Sequence, residues 1–127
     1  MAAEGSGVSH RVAKAVGQRG EDLACAHLVG QGFEVVERNW RCSLGELDIV
    51  ARRGDLLVFC EVKTRRSQRF GSPLEAVTHA KALRLRKLAA RWTGEHALRA
   101  AHLRIDVIAV LLQSGRDPVL QHVEGIE

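Results

Sequence analysis

Two groups of residues in this chain have the types and spacing to do chemistry. The first is Gly45-Glu46-Leu47-Asp48; the second, thirteen residues past Asp48, is Glu61-Val62-Lys63. Carboxylates brought close together repel unless a cation sits among them. Hard divalent ions such as Mg²⁺ or Mn²⁺ prefer oxygen ligands and keep several waters. An ion held by Asp48 and Glu61 would polarise a phosphodiester and lower the pKa of a bound water. Lys63 would orient or activate that water, or neutralise charge growing on the phosphate oxygens. The pattern points to metal-assisted phosphodiester hydrolysis. The bland alternative is a solvated strand face at Glu46 and Asp48, with a surface ion pair between Glu61 and Lys63.

A hairpin must position these residues. Leu44 to Ala51 alternates, with Leu47, Ile49 and Ala51 on one face and Glu46, Asp48 and Val50 on the other. The cluster Arg52-Arg53-Gly54-Asp55 supplies the turn, and the apolar run Leu56 to Val62 reads as a central strand covered on both faces. A two- or four-residue turn centred on Arg53-Gly54 sets Glu61 opposite Glu46 and Asp48 opposite Phe59. Asp48 and Glu61 are then diagonal neighbours about 7–8 Å apart at the backbone, with Lys63 on the same side. An odd-length turn would separate Asp48 from Glu61 and remove the site.

Other elements surround the hairpin. Val16, Leu23, Ala24 and Leu28 mark an amphipathic helix from about Lys14 to Val29, ended by Gly30 and Gly32. Gly17 and Gly20 inside it each cost about 1 kcal/mol against alanine, which close backbone approach to another element would justify. Phe33 to Arg41 reads as a strand. Ser72-Pro73-Leu74-Glu75 carries a serine cap, a first-turn proline and a glutamate at the third position, the start of a helix running to about Trp92. Its core stripe is Leu74, Val77, Leu85, Leu88 and Trp92. Arg104 to Leu112 forms another strand and Val119 to Val123 a short last one. The order α-β-β-β-α-β, with that terminal strand, predicts an α/β domain: a mixed central sheet flanked by helices. Residues 1–13, rich in small and polar types, are expected to be a flexible N-terminus, and 14–124 a single domain.

At 127 residues the chain has length for one core and not two. A formal net charge of +4 leans basic, and the distribution says more than the sum. Arg65, Arg66 and Arg69 lie in the loop that leads into the second helix, whose Lys81, Arg84, Lys87 and Arg91 recur opposite the apolar stripe. A surface of one sign favours phosphate contacts; a merely solvated face is the plain alternative. With two tryptophans, three phenylalanines and no tyrosine, rings for gripping single strands by stacking are scarce. Recognition by backbone and shape, as for duplex or branched DNA, fits better, and DNA is favoured over RNA. Cys25, Cys42 and Cys60 form no C-x-x-C pair, which argues against a zinc set and for a reducing compartment. No signal peptide or membrane span is legible, so the expected location is the cytoplasm and no membrane partner is expected. Asp106 alternates with Arg104 and reads as a buried structural partner.

Asp48, the thirteen-residue gap, Glu61-Val62-Lys63 and the element order together resemble the PD-(D/E)xK nuclease superfamily, which shares the restriction-endonuclease-like core. Within it the chain resembles the YraN family of small bacterial proteins, similar in turn to archaeal Holliday-junction resolvases. The matches are Gly17-Gln18-Arg19-Gly20-Glu21, Asn39-Trp40-Arg41, Gly45 to Val50, Phe59 to Lys63, Phe70-Gly71-Ser72-Pro73 and Arg104-Ile105-Asp106-Val107. They span residues 14 to 112. Leu47 stands where the motif's name has proline. The resemblance implies an endonuclease with Asp48, Glu61 and Glu21 as metal-binding carboxylates, the Val62 carbonyl as a further ligand, and Lys63 as the catalytic lysine. It also implies a homodimer, for which Leu111, Leu112, Val119, Leu120 and Val123 are candidate contacts. Two other readings stay open: a non-catalytic nucleic-acid-binding module, and an accessory protein that keeps the fold.

Overall fold

The computed structural model describes residues 2–67 and 77–126. Helix α1 spans Ala2–Gly30, so it starts well before the expected Lys14. Strands β1 (Glu34–Cys42), β2 (Gly45–Arg53) and β3 (Leu56–Arg65) follow. Helix α2 spans His79–His96, and β4 (His102–Leu111) and β5 (Val119–Val123) complete the chain. The strands form one sheet in the order β1-β2-β3-β4-β5, with β3 and β4 parallel and the other pairs antiparallel. The architecture is mixed α/β with a restriction-endonuclease-like element order. Strand β3 is central, as its apolar run requires.

The sheet separates two apolar layers. On one side Ala24 and Leu28 of α1 pack on Ile49, Ala51, Val58, Cys60, Ile108 and Val110. On the other, Leu85, Leu88 and Trp92 of α2 pack on Leu47, Val50, Leu57 and Phe59. Leu47 therefore shares a face with Val50 and not with Ile49 and Ala51, which corrects the simple alternation. A break in the pleat at Asn39–Asp48 accounts for it. Asn39 has φ 54°, a left-handed conformation that asparagine tolerates better than most residues. Trp40 and Leu47, which pair just past Asn39, lie on the α2 side.

The hairpin register also differs by one step. Arg53 pairs with Leu56 and Ile49 with Cys60, so the turn is Gly54-Asp55 and not Arg53-Gly54. Arg53 stays in the strand because its guanidinium lies 4.3 Å from the Phe33 ring centre and donates to the Gln31 carbonyl at 2.9 Å. Gly54, at φ 58°, takes the turn. The loop length stays even, and pairing runs to Ile49–Cys60, so Asp48 and Glu61 follow as the next residue on each strand.

The expected helix start at Ser72, with Leu74, lies outside the described residues. Thr78 is extended (φ −89°, ψ 165°) and caps α2, its hydroxyl accepting from the Lys81 amide at 3.2 Å. A continuous helix from Ser72 to Trp92 is thus excluded. Helix α2 instead continues to His96, and its buried side is Ala82, Leu85, Leu88, Ala89 and Trp92.

Candidate active site

Strands β2 and β3 stop pairing after Ile49 and Cys60, and the next residue on each is an acid: Asp48 and Glu61. In place of a backbone bond, Asp48 Oδ2 accepts from the Val62 amide at 2.7 Å. A strand residue sends its N–H and C=O to the same side, so the Val62 carbonyl faces the same gap. Burial pushes the Asp48 pKa up to about 7; the Val62 bond opposes this, and the charges of Glu21, Glu61 and Glu46 add to it.

Helix α1 delivers Glu21 because Gly20 lets it approach β3. A Cβ on Gly20 would overlap the Thr64 hydroxyl and lie 2.8 Å from Thr64 Cβ. Gly17 meets nothing within 4 Å; with Glu21, Val62, Lys63 and Arg66 it lines a cleft of about 370 Å³. The two glycines thus do different things: Gly20 gives close packing, and Gly17 leaves room. Burial raises the Glu21 pKa, opposed first by the Arg38 charge and then by a hydrogen bond from Asn39. Arg38 Nη2 stands 3.7 Å from Glu21 Oε1 and 2.8 Å from Asp22 Oδ1.

Glu61 Oε1 faces two lysines, Lys81 Nζ at 3.1 Å and Lys63 Nζ at 3.8 Å. The contact with Lys81, then burial, lowers the Lys63 pKa, against the charges of Glu61 and Asp48. The Thr78 cap starts α2 so that Lys81 in its first turn points at the acids. Lys81 therefore leaves the basic helix face, while Arg84 and Lys87 remain exposed. Arg91 is tied to Ser43 and Glu95. Arg65 is half-buried at the end of β3, Arg66 is exposed beside the acid cleft, and Arg69 lies outside the described residues. Glu46 pairs with Arg41 at 3.6 Å.

Two carboxylate oxygens, Glu21 Oε1 and Glu61 Oε2, are buried without a hydrogen-bond partner among the described residues. A buried acceptor left unpaired costs about 1–3 kcal/mol, more when charged. An all-oxygen donor set with open lone pairs suits a hard divalent ion, so Glu21, Asp48, Glu61 and the Val62 carbonyl fit Mg²⁺ or Mn²⁺. A second group fits less well. Ligand atoms of Cys60, Asp106 and His122 lie within 4.8 Å of one another. Yet Asp106 already has Arg104 Nε and Nη2 at 2.9 Å, His122 Nε2 at 2.7 Å and the Gly125 amide at 3.0 Å. Its carboxylate is filled, and the network is structural, as the Arg104–Asp106 alternation suggested.

Sequence reasoning missed Arg38 and Asn39 and gave Lys81 a different role. Asn39 carried a readable signal, since asparagine inside a strand pattern often marks a left-handed position. Arg38 and Lys81 had none, because both reach the acids from other elements.

No helix among the described residues is long and apolar enough to cross a membrane. Residues 20–110 match the model of a family described as "Uncharacterised protein family UPF0102". Similar chains include a UPF0102 protein of Beutenbergia cavernae, 53% identical over 116 residues, covering 91% of this chain and 98% of that one. Another, from Nocardioides sp. strain JS614, is 48% identical over 121 residues, covering 95% and 98%. A third, from Streptomyces coelicolor, is 49% identical over 124 residues, covering 96% and 95%. With most of its length matched by the family model and by these relatives, the chain belongs to the UPF0102 family, the YraN-like proteins.

Proposed function

We propose that the chain is a divalent-metal-dependent endonuclease of the PD-(D/E)xK type, hydrolysing phosphodiester bonds in duplex or branched DNA. The observation that carries this reading is the pair of buried oxygens that accept no hydrogen bond among the described residues, Glu21 Oε1 and Glu61 Oε2, beside an Asp48 that holds its proton up to about pH 7. Such an arrangement is costly in a purely structural cluster and useful in a metal site. Mg²⁺ or Mn²⁺ held by Asp48, Glu61, Glu21 and the Val62 carbonyl would supply Lewis-acid activation of water and charge neutralisation at the phosphate.

The chain's own groups do the rest. Lys63, with its lowered pKa, accepts at Nζ the proton that a water gives up as it attacks phosphorus. One P–O bond forms, another breaks, and the leaving oxygen takes a proton from solvent. Lys81 keeps Glu61 Oε1 occupied, so Oε2 is the oxygen left for the ion. The net charge of +4 and the exposed Arg66, Arg84 and Lys87 favour a polyanionic substrate over a small ester.

The test is cleavage of a labelled panel of duplex, flap, four-way junction and single strand, with Mg²⁺ or Mn²⁺, beside Asp48→Asn. Metal-requiring product that vanishes in the variant is the expected result. Product unchanged by Asp48→Asn would sink the proposal. A metal-independent shift of the same substrates without product would instead favour a binding module.

A further inference from the structure

A second cleft lies not at the acids but beside them. It has a volume of about 720 Å³ and runs between α1 and the β4–β5 connection. Val16 and Arg66 line both this cleft and the smaller acid cleft, so the two adjoin. Its floor is apolar, from Val12, Ala15, Val16 and Leu112. Three arginines, Arg19, Arg66 and Arg116, also line it, against the single carboxylate residue Asp117.

Each arginine is placed by ordered backbone. Arg19 is on α1, one residue before the Gly20 contact that presses the helix onto β3. Arg66 follows directly on β3, where the Leu112 amide donates to the Arg65 carbonyl at 2.8 Å and fixes the end of β4 beside it. Arg116 closes a turn by donating from its amide to the Gln113 carbonyl at 3.1 Å. Gly115 precedes it at φ 74°, a conformation glycine takes without strain. Among the described residues none of the three arginines has a carboxylate within ion-pair distance, whereas Arg38, Arg41, Arg91 and Arg104 all do. Three arginines against one carboxylate, beside apolar side chains, match a chain of phosphates with sugars between them. Among the described residues no aromatic side chain lines the cleft, so base stacking is not the grip they supply.

We infer that this cleft holds one nucleic-acid strand flanking the scissile phosphate, with Arg19 and Arg116, and Arg66 between them and the acids, as its phosphate contacts. The inference rests on the hydrolytic reading of the acid cluster for the word "scissile" and on the cleft alone for binding. The occupant assigned to the groove is a single-stranded arm, which a blunt duplex lacks. It assigns binding residues outside the basic loop and helix.

The test is fluorescence anisotropy with two labelled DNAs of one sequence, a blunt duplex and a duplex with a single-stranded arm, in EDTA and again with Ca²⁺. Arg19→Gln and Arg116→Gln are compared with the parent chain and with Arg99→Gln, an equal charge change at an exposed site outside the cleft. Removing a charge-assisted bond to phosphate is expected to weaken arm binding about tenfold in each cleft variant. The slope of log affinity on log salt should fall by about 0.7 for each phosphate no longer neutralised. Arg99→Gln and the blunt duplex should change less than twofold. Parent-like arm binding in both cleft variants would overturn the inference, as would no binding by the parent chain. Equal weakening in Arg99→Gln would do the same. If the cleft variants lose arm binding while the parent never cleaves DNA, the cleft stands and the hydrolytic reading falls. If metal-dependent cleavage is found and both variants bind normally, the outcome is reversed.

Discussion

Asp48 accepts the Val62 amide at 2.7 Å where β2 and β3 part, so one carboxylate closes the sheet and opens the site. The bond anchors Oδ2, and no hydrogen bond among the described residues claims the other oxygen. A side chain has taken the place of a ladder bond, and the Val62 carbonyl is freed with it.

The first prediction is a pH-dependent stability change. In the metal-free protein Asp48 has a folded pKa of about 7, against an ordinary value near 3.8. Between those values the folded state binds more protons than the unfolded state, so this group's contribution to stability falls as pH rises. The window corresponds to at most about 4 kcal/mol. Asp48→Asn keeps an acceptor for Val62 and removes the charge. It should stabilise the metal-free chain at pH 8 by clearly more than at pH 5, where only part of the window has been crossed, read by urea unfolding. An equal change at both pH values would contradict the burial argument.

The second concerns the helix approach. Gly20→Ala forces a methyl into Thr64, while Gly17→Ala meets nothing. Gly20→Ala should cost about 1–3 kcal/mol, as overpacking does, and move Glu21 away from the acids. Gly17→Ala should be neutral or stabilising by up to about 1 kcal/mol. The double variant Gly20→Ala/Thr64→Ala should recover much of the stability, since the clash is between those two residues. Thermal unfolding of the four chains decides it.

How much of this was legible follows from which terms are local. The turn cluster Arg52-Arg53-Gly54-Asp55 could be read, with the parity of its loop left open. The exact register could not, because Arg53 looks like a turn residue until Phe33 and the Gln31 carbonyl hold it in the strand. The flip of Leu47 to the α2 side depends on the left-handed Asn39 of another strand. Lys81 read as part of an exposed stripe because helical periodicity fixes spacing and not rotation about the axis. Thr78 and the crossover between β3 and β4 set that rotation. Gly20 was readable as a close contact, and only the fold names Thr64 as the other side.

The third prediction separates the structural network from the site. Asp106 is fully buried and holds Arg104, His122 and the Gly125 amide. Asp106→Ala leaves Arg104 only the looser contact with Glu124 at 3.6 Å, strips His122 and the Gly125 amide of their acceptor, and should cost about 3–5 kcal/mol. In the Asp48→Asn chain, whose acid cluster is disabled, zinc should leave the melting temperature unchanged, because the Asp106 carboxylate has no site to give. A zinc-dependent rise that disappears in Cys60→Ala would show that a metal does bind there.

The last prediction uses the lysine pair. Lys81 lies 3.1 Å from Glu61 and is the foremost cause of the lowered Lys63 pKa, with burial second. Removing the Lys81 charge with Lys81→Met should raise the Lys63 pKa toward its ordinary value. Lys63 would then hold its proton to higher pH and accept one from water less readily near neutrality. The acid limb of the pH–rate profile should shift upward in Lys81→Met, with maximal rate recovered at alkaline pH. The pH dependence of Lys63 reductive methylation, followed by NMR, reports the same shift without any turnover. A methylation profile that does not move would mean Lys81 leaves the Lys63 amine unperturbed. A moved methylation profile with an unmoved rate profile would mean that Lys63 does not take the proton in the rate-limiting step.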